Sequence, residues 1–153
     1  KGSLKKGGQQ RKTKRAWTLS AEGEKYTWSS SLERVQLIRS GIPYSSIELI
    51  SKKLSLPVKA TLDLLGLAQT TYNKKKLEHS LLDRRNSELI LKISEVADFG
   101  LEVFNNEQDK FQSWLHKINL SLGGAKPVEF LDTVSGINEV QYCLNRIEYG
   151  NYA

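Results

Sequence analysis

Residues 57–76 read PVKATLDLLGLAQTTYNKKK. Pro57 suits the first position of a helix, where its fixed φ is already helical and its missing N–H would have had no partner. Val58, Leu62 and Leu65 then recur at spacings of four and three, one face of a helix. Gly66 is placed to end it with a left-handed residue. Beyond the glycine the chain turns polar, offering amides, hydroxyls and a lysine run. An apolar helix, a glycine turn and a polar helix have the outline of a helix-turn-helix. In that reading Gln69, Thr70, Thr71 and Asn73 reach base edges, and Lys74, Lys75 and Lys76 sit on phosphates. An ordinary helical turn with a solvated lysine run fits the same residues, and from them alone both readings stand.

Working outward, the helical period continues on both sides. Leu32, Val35 and Ile38 sit three apart from Ser31 onward, and Gly41–Ile42–Pro43 closes that helix. Ser45 or Ser46 caps the next, with Ile47, Ile50 and Leu54 inward. Downstream, Leu89, Ile93, Val96, Ala97, Leu101 and Phe104 form one stripe of a long helix over 88–104. Residues 110–118 predict a helix with Phe111, Trp114, Leu115 and Ile118 inward. Pro127 starts another, and Ile137, Val140, Leu144 and Ile147 repeat at 3, 4, 3. No alternating strand pattern stands out, so the expected fold class is all-α.

The 153 residues are 39% hydrophobic and carry a net charge of +6, distributed unevenly. Residues 1–30 hold eight basic against two acidic side chains (+6), residues 31–99 eleven against eight (+3), and residues 100–153 four against seven (−3). A basic front and an acidic back predict two different partners. No apolar run approaches a membrane span, and the opening KGSLKKGGQQ lacks the apolar segment of a signal peptide. One cysteine, Cys143, gives no internal disulfide and no cysteine metal cluster. A cytoplasmic protein without a cofactor is expected. His79 and His116 are far apart in sequence and in no metal-ligand spacing. LGGAK lacks the frame of a phosphate loop, and nothing suggests a catalytic residue. Residues 1–15, with seven basic side chains, three glycines and no acid, read as an arm or linker. Contact with DNA and a merely solubilising role are both open for it.

The last eight residues are RIEYGNYA, an unusual place for two tyrosines. Either they pack on their own domain or another protein grips them. The run they close, LGGAKPVEFLDTVSGINEVQYCLNRIEYGNYA, resembles the toxin-binding domain of Xre/MbcA/ParS-type antitoxins. Matching positions include Asn119, Leu122, Gly123, Gly124 and Pro127, then Leu131, Asp132, Thr133 and Gly136. Val140, Leu144, Arg146, Ile147, Glu148, Gly150 and Ala153 follow at the family's spacing. FQSWL at 111–115 resembles the preceding helix of that family, and residues 42–104 resemble its Xre-like helix-turn-helix domain. Leu62 and Tyr72 depart from the small residues usual at their positions, and Phe130 stands where leucine is common.

The resemblance implies a chain in three parts. Residues 1–30 would be a basic arm, 31–104 a dimerisation and DNA-binding domain, and 105–153 a toxin-binding domain. It further implies a type II antitoxin that silences a RES-domain toxin, an enzyme that consumes or transfers from NAD. Such a chain binds its own operator as a homodimer within a larger toxin–antitoxin assembly, and is itself no enzyme. Trp114, Arg146, Glu148, Tyr149, Gly150, Asn151, Tyr152 and Ala153 would face the toxin, the final residues plugging its active site. The alternative is a stand-alone transcription regulator whose C-terminal module only dimerises it.

Overall fold

The computed structural model describes residues 15–150. They form a mostly helical body with one short hairpin. β1 (Trp17–Ala21) and β2 (Glu24–Trp28) pair antiparallel in the register Trp17↔Trp28 to Ala21↔Glu24. The helices are α1 (Ser31–Ser40), α2 (Ser46–Leu54), α3 (Val58–Leu65), α4 (Gln69–Leu77), α5 (Arg84–Val103), α6 (Gln108–Leu115) and α7 (Val134–Glu148). Two 3₁₀ turns, Leu120–Leu122 and Pro127–Asp132, lie between α6 and α7.

The helical fold class holds, and the hairpin is its addition, within the stretch assigned to a basic arm. Its loop is two residues, Glu22 and Gly23, both at positive φ (54° and 78°). That is the turn whose twist matches paired strands. Leu19, Ala21 and Trp28 point inward and are buried. The Trp28 indole N–H donates to Glu95 Oε2 at 2.6 Å, and the Arg34 guanidinium reaches the same oxygen at 2.9 Å.

The buried residues form one cluster, from Leu19 and Trp28 to Val140 and Leu144. α5 runs through it, burying Leu89, Ile90, Leu91, Ile93, Val96 and Ala97. At its far end an added Cβ on Gly100 would overlap the Phe111 ring, so a glycine is required for α6 to close on α5. α6 is also tied to the end of α2. Gln112 Nε2 donates to the Lys53 carbonyl at 2.8 Å, and His116 Nε2 lies 2.8 Å from the Leu54 carbonyl. These carbonyls sit in the last turn of α2, where they have no helical partner.

Several expectations need correction. α1 forms as read, but it buries no residue: Leu32 is 70% exposed and Val35 37% exposed, with Leu37 and Ile38 packed instead. α6 stops at Leu115, and Ile118, expected inward, is 68% exposed. Neither serine caps α2 through its side chain: Ser45 Oγ donates to Glu22, and Ser46 Oγ to the Pro43 carbonyl. The segment opened by Pro127 is a 3₁₀ turn that buries Val128 and Leu131.

Candidate nucleic-acid and partner interfaces

α3, its turn and α4 build the helix-turn-helix. Gly66 adopts the left-handed conformation (φ 71°, ψ 32°), and its N–H and that of Leu67 return to carbonyls of α3. Leu62 and Tyr72, the two departures from small residues, are both buried, at 1% and 4% exposure. Tyr72 is the only side chain α4 buries. Its hydroxyl lies 3.5 Å from Glu48 on α2. Burial, and then the Glu48 charge, push that phenol above its ordinary pKa.

The remaining face of α4 is open. Gln69, Thr70, Thr71, Asn73 and Lys74 are exposed, and Lys75 is half-buried. Gln69 Nε2 donates to Asn73 Oδ1 at 3.1 Å, one helical turn on, which holds the two amides side by side. Lys76 is different. Its ammonium pairs with Glu48, and it lies 5.7 Å from the centre of the Tyr72 ring. Hydrogen bonding to Lys76 lowers the Glu48 pKa, and the bond to Glu48 raises that of Lys76. Lys76 therefore fastens α4 to α2, whereas Lys74 points into solvent.

At the other end, Trp114 and Arg146 come together. With Asn119, Ser121, Cys143 and Ile147 they line a cleft of about 170 Å³. The loop side is shaped by Asn119, which pairs with Ala125 and whose side chain accepts the Ser121 N–H at 2.9 Å. Gly123 and Gly124, both at positive φ, carry that turn. Thr133 caps α7 by accepting the Gly136 N–H at 2.9 Å. An added Cβ at Gly136 would overlap the Phe130 carbonyl oxygen, so the glycine sets the entry of α7. Arg146 donates to Cys143 Sγ at 3.3 Å. Burial raises the Cys143 pKa, and Arg146 opposes the rise.

Glu148, Tyr149 and Gly150 end the described chain as an exposed helix terminus, Tyr149 being 75% exposed. Asn151, Tyr152 and Ala153 lie outside the described residues. Next in sequence to the cleft residues, sequence reasoning missed Leu120, 88% exposed, and Tyr142, 55% exposed, as well as the outward turn of Ile118. The available signal was the 142–146–149 spacing, which puts Tyr142, Arg146 and Tyr149 on one helix face. Among the described residues no helix is long and apolar enough to cross a membrane, and no group of three or more metal-ligating side chains gathers.

Comparison with known proteins assigns both halves. Residues 33–94 match the antitoxin Xre-like helix-turn-helix domain, and residues 100–150 the antitoxin Xre/MbcA/ParS C-terminal toxin-binding domain. The chain is 28% identical over 133 residues to the Prs ADP-ribosylating antitoxin of Sphingobium sp. (strain YBL2), covering 82% of this chain and 84% of that one. It is 25% identical to the antitoxin Xre of Photorhabdus laumondii subsp. laumondii, over 74% of this chain and 77% of the relative. The antitoxin Xre of Yersinia enterocolitica is 24% identical over 78% and 80%.

Proposed function

Because the chain belongs to the Xre-type antitoxins, a family of helix-turn-helix regulators and not of enzymes, we propose that it neutralises a RES-domain toxin and represses its own operon. The observation that carries the reading is the pairing of two surfaces on one core. α4 offers amides, hydroxyls and Lys74 to a groove, and the C-terminal part offers the cleft of Trp114 and Arg146 together with exposed Leu120, Tyr142 and Tyr149. Lys74 and Lys75 supply phosphate contacts, and Gln69, Thr70, Thr71 and Asn73 the base contacts. Operator binding is by a homodimer, since helix-turn-helix proteins match two-fold half-sites. Residues 31–104 carry dimerisation and DNA contact, residues 105–153 carry toxin binding, and the assembly works in the cytoplasm.

In this reading residues 149–153 enter the toxin's NAD site. Tyrosine brings large contact area with few rotors to freeze and a hydroxyl for bonding. That one relative's name joins ADP-ribosylation to an antitoxin supports a toxin that works on NAD. The test is NAD consumption by a RES-domain toxin encoded beside this chain, titrated with intact protein or with protein lacking 149–153. Intact protein is expected to abolish consumption, and the truncated form to bind without inhibiting. Equal inhibition by both overturns the plug. Failure of intact protein to bind or inhibit overturns the antitoxin reading.

A further inference from the structure

The cleft beside Trp114 holds a cation, Arg146, that forms no ion pair among the described residues. Arg146 is half-buried, and its guanidinium donates to the Cys143 thiol, a weak acceptor. Among the described residues no carboxylate lies within ion-pair reach of it. A guanidinium carries five donors in a planar fork that fits a carboxylate with two bonds, so most of its capacity is unspent. The surrounding groups suit the same guest. Trp114 forms an apolar wall for a short aliphatic stem. Asn119 uses its amide oxygen on Ser121 N–H, which leaves its NH₂ to donate, and the Ser121 hydroxyl stands at the same edge. Exposed apolar side chains stand close in sequence to the lining residues: Ile118 and Leu120 on either side of Asn119, and Tyr142 and Tyr149 near Cys143 and Arg146.

Resting on the antitoxin reading above, we propose that this cleft receives one aspartate or glutamate side chain of the toxin, held by Arg146 against Trp114. Charge decides between this guest and a phosphate backbone. The region 100–153 carries four basic against seven acidic side chains, so it repels a polyanion while a single seated carboxylate meets its one cation. Inhibition and docking are then separate tasks. Tail residues block the toxin, and Arg146 fixes where the antitoxin sits. Arg146 is a positioning residue in this scheme, acting on the register of the interface and not on any reacting atom.

The experiment measures affinity of full-length variants for the RES-domain toxin of the inhibition assay, with thermal unfolding of each variant recorded alongside. Arg146→Gln is expected to weaken binding about thirtyfold or more, as for loss of one partner in a desolvated charge pair. Arg146→Lys, which keeps the charge and loses the fork, should fall between. Ser121→Glu provides a second variant that leaves Arg146 in place. It fills the cleft with the chain's own carboxylate and should weaken toxin binding while melting as the wild type does. The partner is found by converting the toxin's surface Asp and Glu residues to amides one at a time. One such change should mimic Arg146→Gln and add nothing to it. Operator binding by Arg146→Gln should match wild type. The proposal fails if folded Arg146→Gln and Ser121→Glu bind the toxin normally, if no toxin carboxylate couples to Arg146, or if Arg146→Gln weakens DNA binding instead. A wild-type chain that does not bind the toxin removes the antitoxin reading and this one with it.

Discussion

Lys74, Lys75 and Lys76 are consecutive and not equivalent. A lysine run in a sequence looks like one solvated patch, because nothing in it reveals a carboxylate packed from 28 residues earlier. In the fold, Glu48 takes Lys76 out of the patch. Lys74→Ala and Lys75→Ala should each reduce operator affinity on all sequences and flatten the salt dependence by about one charge. Lys76→Ala should leave the salt slope nearly unchanged and cost ~0–1 kcal/mol of stability, the range for an exposed ion pair. The sign with pH follows from the shifts. Glu48 is lowered from 4.5, so its contribution is full above that value and is lost as pH falls through its folded pKa. Lys76 is raised from 10.5, so its contribution is full below that value and is lost as pH rises through its folded pKa. The melting difference between wild type and Lys76→Ala should therefore be flat at neutral pH and close at both extremes. Gly136 is a second residue whose role is invisible as spacing alone. Gly136→Ala should destabilise by about 1–3 kcal/mol, because the obstacle is a main-chain carbonyl that cannot rotate away. Chemical denaturation measures it.

At the level of elements, the helical stripes were legible wherever a helix buries a full face. The long stripe of α5 and the 137–147 repeat of α7 are examples, since burial forces the 3.6-residue period. Failures came where burial is partial. α1 rests on β2 and α5 through Arg34, Leu37 and Ile38, so the 32–35–38 spacing named a face that is only one-third inward. β1 and β2 are five residues each, too short for alternation to stand out, and Glu-Gly is a weaker hairpin signal than Asn-Gly. The cleft was half legible: Trp114 and Arg146 were both named for the toxin, but their meeting depends on a loop between them. α4 presents the opposite situation, a well-formed element with a thin attachment. One buried side chain, Tyr72, and one ion pair hold it. Tyr72→Ala should cost on the order of 3 kcal/mol and loosen α4 ahead of the rest. Hydrogen exchange would show amides 69–77 losing protection while α5 keeps its own. Uniform loss across both helices would contradict the attachment described.

For the whole molecule, the two modules proposed from charge and resemblance share a single buried cluster. α5 lies in the first module and packs against α6 and α7 of the second, so division by function need not be division in folding. A scanning calorimetry trace of the full chain should show one transition whose van't Hoff and calorimetric enthalpies agree. Two resolved transitions would mean that the modules fold separately. Gln112→Ala removes the donor to the Lys53 carbonyl and should lower the temperature of that same transition, by the cost of ~1–3 kcal/mol for an orphaned acceptor.

The acceptors of Gln112 and His116 are main-chain oxygens, at Lys53 and Leu54. A carbonyl is the same whatever side chain its residue carries. These two hydrogen bonds therefore ask of α2 only that it keep its path, while Gln112 of α6 and His116 just after it supply the partners. The side chains at 53 and 54 answer to other demands: Lys53 pairs with Asp98 at 2.8 Å, and Leu54 is fully buried. A segment grafted over residues 31–83 that preserved the course of α2 would keep these two hydrogen bonds, but it would also have to match the buried side chains of Ile42, Ile47, Ile50, Leu54, Leu62 and Leu65 in the shared core. Under the proposed function, a change of DNA specificity that spares the toxin module is confined to the exposed face of α4, where Gln69, Thr70, Thr71, Asn73 and Lys74 belong to neither the joint nor the core.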